Sequence, residues 1–388
     1  MLSRMNSARA LRTALAALTA SVTSAFAVDP GFVPLFNGRN LDGWVNANCA
    51  PETWTATNGV IHCTGFPIGA LRTVRQYENF ILEVDWRHLS SGGNSGVFIW
   101  GTPIAAPGVP FLRGIEVQVL DHGFDVPGKN EWYTTHGDVF PIHGATMTPF
   151  GRHNGQRSFP SQERSLGSPQ WNHYRIVCTN GTLRLSVNGA EVSGGADCNY
   201  RKGYLALESE GAPVEFKNVV IKELPSSKTP PHLTAPLDEG FRSVFTGLDF
   251  RGWTQPANSN VWAVAGERLR CNGAAGGELA LWLDSNKARR FEFIADARRG
   301  AKDAAASPAA LILQDSRGAT FTLPFDCPAN NKHHRFRFKV DSKSVTTQVD
   351  DAQPSTRALP TSWSRTIHAG LQSGSGTTEF MNLYWRKL

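Results

Sequence analysis

The sequence predicts an all-β protein made of two jelly-roll β-sandwiches in tandem. Three observations carry this. The 388-residue chain is rich in turn formers and aromatics, with 37 Gly, 23 Pro, 11 Trp and 22 Phe, which suits many short strands better than long helices. Short runs of alternating apolar and polar residues recur between turn signals, and long helical periodicity is nearly absent. The chain also repeats itself. "FVPLFNGRNLDGWV" (32–45) returns as "FRSVFTGLDFRGWT" (241–254), "ETWTATNGVIHCTG" (52–65) as "NVWAVAGERLRCNG" (260–273), and "LALESEGAPVEFKNVVIKEL" (205–224) as "AGLQSGSGTTEFMNLYWRKL" (369–388). Three matches in one order mean two copies of one fold.

Taken in chain order, residues 1–27 read as a signal peptide. Arg4, Arg9 and Arg12 give a basic start, "LRTALAALTASVTSAFA" follows, and Ala25-Phe26-Ala27 forms a small-x-small cleavage site before Val28. The apolar run is too short and too interrupted by Ser and Thr for a membrane anchor, and no Cys stands at the cleavage point. The expected location is periplasmic or secreted. Removing three Arg lowers the formal charge from +6 to +3, too weak and too scattered for a nucleic-acid partner. No later segment is expected to insert into a membrane. In an exported chain the six Cys are compatible with disulfides. Four lie in the first half (Cys49, Cys63, Cys178, Cys198) and two in the second (Cys271, Cys327). Pairing within each half and buried free thiols both remain open.

Residues 28–224 form the first sandwich. "NFILEVDWRHL" and "GVFIWG" alternate as strands do, and "HYRIVCTNGTLRLSVNGAEV" is two strands about Asn180-Gly181, a hairpin signal. Residues 225–240, "PSSKTPPHLTAPLDEG", are a Pro/Ser/Thr linker. Residues 241–388 are the second sandwich, an accessory or binding copy.

The copies differ in their polar residues. In "GIEVQVLDHGF" (114–124), Ile115, Val117 and Val119 face the sandwich interior, and Glu116 and Gln118 face the other way. That other face is either wet surface or the floor of a groove. Asp121 and His122 lie where the strand ends, a place where sites are built. A long insertion follows with His122, His136, Asp138, His143 and His153. Two His and a carboxylate (His136, Asp138, His143) can bind a divalent metal or form a proton-transfer set; a polar loop is the plainer alternative. "LESEG" places Glu208 and Glu210 on one strand face, where the second copy has Gln372 and Gly374. Asn94, Arg72 and Arg87 offer hydrogen bonds to a polyhydroxylated ligand. Trp100 either stacks on a sugar ring or fills the core. Residues kept in both copies serve the fold, and polar residues found in one are the better candidates for function. The chain has no G-x-S-x-G elbow and no nucleotide fingerprint.

"LFNGRNLDGW", "CTGFPIGALRT", "YENFILEVDWRH", "GGNSGVFIW", "GIEVQVLD" and "LESEGAPVEFKNVVIKEL" occur in this order. They resemble the 3-keto-disaccharide hydrolase family, also described as 3-keto-glucoside 1,2-lyase/3-keto-2-hydroxy-glucal hydratase domains, over about residues 32–224. The second half is similar only at its ends. The resemblance implies a concanavalin-like sandwich acting on oxidised glycosides outside the cytoplasm. A ketone at C3 acidifies the C2 proton, so a base, an enolate stabiliser and an acid for the leaving C1 oxygen are needed, with no redox cofactor. For these roles the sequence offers His122 or His143 as base, His136 with Asp138 for the enolate, directly or through a metal, and Glu116 as acid. Gln118 and Glu208 would orient hydroxyls. The competing expectations are a glycosidase using Glu116 and Glu208 and a pair of non-catalytic carbohydrate-binding modules.

Overall fold

Alternation of burial builds the first sandwich. Along Phe80–His88 every second side chain (Phe80, Leu82, Val84, Trp86, His88) is buried, and Ile81, Glu83, Asp85 and Arg87 face outward. The computed structural model describes residues 30–388 except 125–132, 135, 257, 259, 274–279 and 364–365; residues 1–27, expected from the sequence to be a signal peptide, lie outside the described residues. Among those described, the helical elements are three 3-10 turns, Pro51–Thr53, Pro231–Leu233 and Ala301–Asp303. No helix is long and apolar enough to cross a membrane.

Two antiparallel sheets face each other in the first sandwich. The outer sheet runs Thr146–Pro149, Ala190–Asn199, Thr182–Val187, Asn172–Thr179, Phe80–His88, Val214–Glu223, Val60–Cys63 and Trp54–Thr57, with Val33–Pro34 added on Val214–Glu223. The other sheet carries the site. Its order is His153–Asn154, Arg157–Ser158, Val139–Ile142, Gly114–Leu120, Asn94–Gly101, Tyr204–Ser209, Gly69–Thr73 and Trp44–Ala47. Ile115, Val117, Val119, Val97 and Ile99 join the core between the sheets. Gly114–Leu120 is nevertheless buried along its whole length, so its second face is covered too. There Phe98, Ala70, Ala206 and Leu112 form a small separate core. Leu112 comes from the 102–113 loop, and a buried Leu contributes about 1.5–3 kcal/mol.

The second sandwich has its own core, drawn from Phe245 to Trp385. Its counterpart of the site sheet keeps four strands, Ala280–Ala288, Ile367–Gln372, Ala310–Asp315 and Thr320–Pro324. The registers equate the copies residue by residue. Phe98 pairs with both Glu116 and Ala206, as Ile312 pairs with Thr322 and Gly370. Glu116 therefore corresponds to Thr322, Gln118 to Pro324, and Gly96 to Ala310. The insertion of the first copy supplies the added strands Val139–Ile142, His153–Asn154 and Arg157–Ser158.

The 225–240 segment is strapped down. Glu78 accepts from the backbone and hydroxyls of Ser226, Ser227 and Thr229. The Gln76 amide donates to the carbonyls of Ala235 and Pro236. All six cysteines are free and buried, so disulfides do not hold the fold. Burial pushes the Cys63 thiol up to about 11, which makes it inert.

Candidate active site

One continuous polar chain crosses the covered face of the site sheet. Asp138 Oδ2 accepts from Arg157 Nη1 at 2.9 Å, and Arg157 Nη1 reaches Gln118 Oε1 at 3.4 Å. The Gln118 amide donates to Asn94 Oδ1 at 2.9 Å, and the Asn94 amide to Glu210 Oε2 at 2.5 Å. Strand geometry explains the grouping. Glu116 and Gln118 alternate with core residues on one strand, Gly96 and Asn94 sit beside them on the next, and Glu208 and Glu210 follow on the third. Gly96 is required by close approach: a Cβ there would stand 2.8 Å from Glu208 Oε2 and 3.0 Å from Glu116 Oε1.

Glu116 is buried, and burial with the nearby Glu210 charge raises its pKa to about 8, against the pull of Arg157. Burial and the charges of Glu116 and Glu210 push Glu208 far above the carboxylate range; its Oε2 is buried without a hydrogen-bond partner. Burial lifts Glu210 to about 7, held back by its hydrogen bond from Glu208. Three adjacent carboxyls thus hold protons close to neutral pH, the arrangement an acid–base site needs.

The structure brings together Glu116, Gln118, Glu208, Glu210, Asn94 and Asp138, but it changes what Asp138 does. Asp138 is fully buried, and its oxygens are occupied by Arg157, the Thr134 N–H and the Thr134 hydroxyl. It positions Arg157 and is spent neither on proton transfer nor on a metal. Asp121 is likewise structural: burial raises its carboxyl, but the N–H groups of Gly92, Gly123 and Ser168 outweigh that and hold it low. It shapes the loop, and its oxygens are taken by these three N–H groups.

Four other expectations are corrected. Arg72 is buried under the linker, with Nη2 on Asp238 at 2.7 Å and Nε on the Pro103 carbonyl at 2.7 Å. Arg87 lies on the outward face of the opposite sheet, paired with Glu215 and stacked on Trp171. Trp100 is a core residue whose indole N–H donates to the Glu78 carbonyl at 2.9 Å; the alternating strand allowed either fate, and the core took it. His143 stacks on Phe111 at 5.6 Å, beside a different cavity lined by Ile104, Arg113 and Leu237. It is not joined to His136 and Asp138 as a metal set or to the carboxyls as a base. For Trp100→Phe we expect a loss of about 1–3 kcal/mol in denaturant unfolding, from a buried hydrogen bond and lost volume. KM for a sugar substrate should stay the same, whereas a stacking role would raise it.

His122 and His136 form a second cluster at the rim. Their rings stack at 5.0 Å. His122 Nε2 lies 2.7 Å from Ser165 Oγ and 3.2 Å from Glu163 Oε1. His136 accepts the Ser165 N–H at 3.2 Å, and burial with the His122 charge lowers it to about 4, so the imidazole is neutral. His122, His136 and Glu163 offer ligand atoms within 4.8 Å of one another, a donor set suited to a divalent transition metal, although Ser165 already occupies a His136 nitrogen. His153 is exposed and bonds the Gly151 carbonyl. Sequence reasoning missed Arg157, whose guanidinium lies 3.3 Å over the Phe140 ring. Its place in the insertion absent from the second copy was the available signal.

Among solved structures, a candidate glycosyl hydrolase from Parabacteroides distasonis ATCC 8503 is 22% identical, with 50% of this chain and 95% of that one covered and a TM-score of 0.40. A second such structure from that organism is 23% identical over 50% and 99% of the two chains, with a TM-score of 0.38. A carbohydrate-binding module from Bacillus subtilis is 14% identical over 47% and 96%, with a TM-score of 0.34. No curated protein matches the chain. Residues 31–222 match the family model described as a 3-keto-alpha-glucoside-1,2-lyase-like domain. The first sandwich belongs to that family.

Proposed function

We propose that the first sandwich cleaves 3-keto-glycosides by elimination across C1–C2, with net hydrolysis after water adds. The observation that carries this reading is the staggered set of carboxyls beside Arg157: Glu210 at about 7, Glu116 at about 8 and Glu208 higher still. Glu210, the least buried of the three, is ionised for part of the time at neutral pH and serves as the base. It takes the C2 proton, and the C2–H electrons form an enolate whose negative charge rests on the C3 oxygen. Arg157, held in place by Asp138 and by the Gln118 carbonyl oxygen, brings positive charge to that oxygen. As the C3 carbonyl re-forms, the C1–O bond breaks and a C1=C2 double bond appears. Glu116 gives its proton to the departing oxygen. Water then adds its hydroxyl to C1 and a proton to C2, giving the 3-keto sugar.

The two-carboxylate glycosidase built on Glu116 and Glu208 fits less well, because both groups retain protons at neutral pH and such a pair needs one ionised. The role of base thus moves from the histidines to Glu210, and Glu116 keeps the role of acid. The proposed location is periplasmic or secreted, on the strength of the 1–27 sequence. A 3-keto-glucoside deuterated at C2 tests the chemistry. Elimination should show a several-fold primary isotope effect and release the label to solvent. Product that retains its C2 deuterium would overturn the reading in favour of direct displacement at C1.

A further inference from the structure

The two sandwiches meet along a built seam on the site side of the first. The Asn48 amide donates to Asn382 Oδ1 at 2.7 Å, and Ile68 N–H donates to Glu267 Oε2 at 2.9 Å. The 102–113 loop, which covers the site sheet, is held by the second sandwich: Ala105 N–H donates to the Tyr384 hydroxyl at 3.1 Å and Gly108 N–H to Asp296 Oδ2 at 2.8 Å. Asp296 is in turn buried against Arg335, with contacts of 2.7 and 2.9 Å. Gly247 lies so close that a Cβ there would stand 2.8 Å from Pro67. Within this seam lies a cavity of about 310 Å3 whose walls include Glu210 and Phe111 from the first sandwich and Glu267, Arg268 and Met381 from the second. Its size is at the small end of the roughly 300–1,000 Å3 typical of ligand sites.

Arg268 is the informative residue. Its Nε is buried without a hydrogen-bond partner, and among the described residues it makes no ion pair. The carboxylate of Glu379 is taken by Arg270 and Arg298. His333 offers no compensation: burial and the charges of Arg298 and Arg268 push it down to about 4. The Nε is out of a ligand's reach, but a guanidinium that lines the cavity without an ion pair brings its outer nitrogens and its charge to a ligand's hydroxyls. The cavity combines apolar faces, Phe111 and Met381, with polar groups, Glu267 and Arg268. That mixture matches a sugar ring, which has a C–H face and a hydroxyl rim.

We propose that the second sandwich, although it lacks the acid–base residues, forms half of the substrate cleft and binds the leaving sugar beside Glu210 through Arg268 and Glu267. This rests on the reading of Glu210 as part of the reacting centre. For the disaccharide substrates that the family resemblance already implies, it assigns recognition of the leaving sugar to the second sandwich. The chemistry belongs to the first sandwich and the choice of leaving group to the second.

The test uses the full chain and two substrates, a 3-keto-disaccharide and a methyl 3-keto-glucoside, with binding of free glucose measured by calorimetry. Arg268→Gln should lower the ratio of kcat/KM for the disaccharide over the methyl glycoside by about 10- to 100-fold, the loss of a charge-assisted hydrogen bond. It should weaken glucose binding by a similar factor. Glu267→Gln keeps an acceptor for Ile68 N–H while removing the charge, so it should fold and show a smaller shift in the same direction. Circular dichroism checks that both variants are folded. An unchanged ratio and unchanged glucose binding in folded Arg268→Gln would overturn the cleft. If wild type turns over neither substrate yet binds glucose in an Arg268-dependent way, the cleft stands and the elimination reading falls.

Discussion

Glu116→Gln is expected to lower kcat by about 10²–10⁴-fold, the usual loss when a general acid is removed. Glutamine preserves the shape of the side chain beside Gly96 and Phe98 and removes only the transferable proton. The pH profile should change with it. In wild type, rate is lost below about pH 7 as Glu210 becomes protonated and above about pH 8 as Glu116 loses its proton. In the variant the alkaline limb should disappear while the acidic limb remains.

Stability should move the other way. A carboxyl whose folded pKa lies above its unfolded value of about 4.5 binds its proton more tightly when folded. That contribution is complete below the unfolded value and is lost as pH rises through the folded one. Above about pH 8 wild type must keep a buried charge that Glu116→Gln lacks. The variant should therefore melt at the same or a higher temperature there, as expected when a site is built at the expense of stability. A wild-type rate in Glu116→Gln, or a lower melting temperature at that pH, would show that this face of the strand is no acid–base site.

The all-β fold and its duplication were legible because they rest on period-two alternation and on repeated Gly, Trp and Phe positions, both local signals. The comparison of copies also located much of the polar network, since Glu208 and Glu210 are replaced by Gln372 and Gly374 and the second copy has no match to the Glu116/Gln118 pattern; only the strand registers set Thr322 and Pro324 in their places. Alternation was less informative where both faces of a strand are covered. It separated Glu116 from Val117 but could not say that the face carrying Glu116 would be covered as well. Arg72 and Arg87 were misread, and Trp100 was left undecided, for a related reason. Their residue types suit sugar binding, but their fates were set by partners distant in sequence, Asp238, Glu215 and the Glu78 carbonyl. Asp121 was misread too, because the three N–H groups that converge on its carboxylate come from chain turns that composition does not reveal. The histidines drew attention by density within the insertion. The same insertion supplied Arg157, a single cation with no motif around it, and Arg157 is the residue that reaches the carboxyl network.

The most direct test of elimination offers the purified full chain a glucoside and its 3-keto derivative side by side. Without the ketone, the C2 proton is not acidic enough for a carboxylate near pH 7 to remove, and Glu116 has no enolate whose collapse it can assist. Cleavage of the keto glycoside alone is therefore expected, with discrimination of several orders of magnitude in kcat/KM. Comparable turnover of the unoxidised glucoside would contradict the account and favour a two-carboxylate glycosidase; binding of both sugars with turnover of neither would leave only a carbohydrate-binding protein.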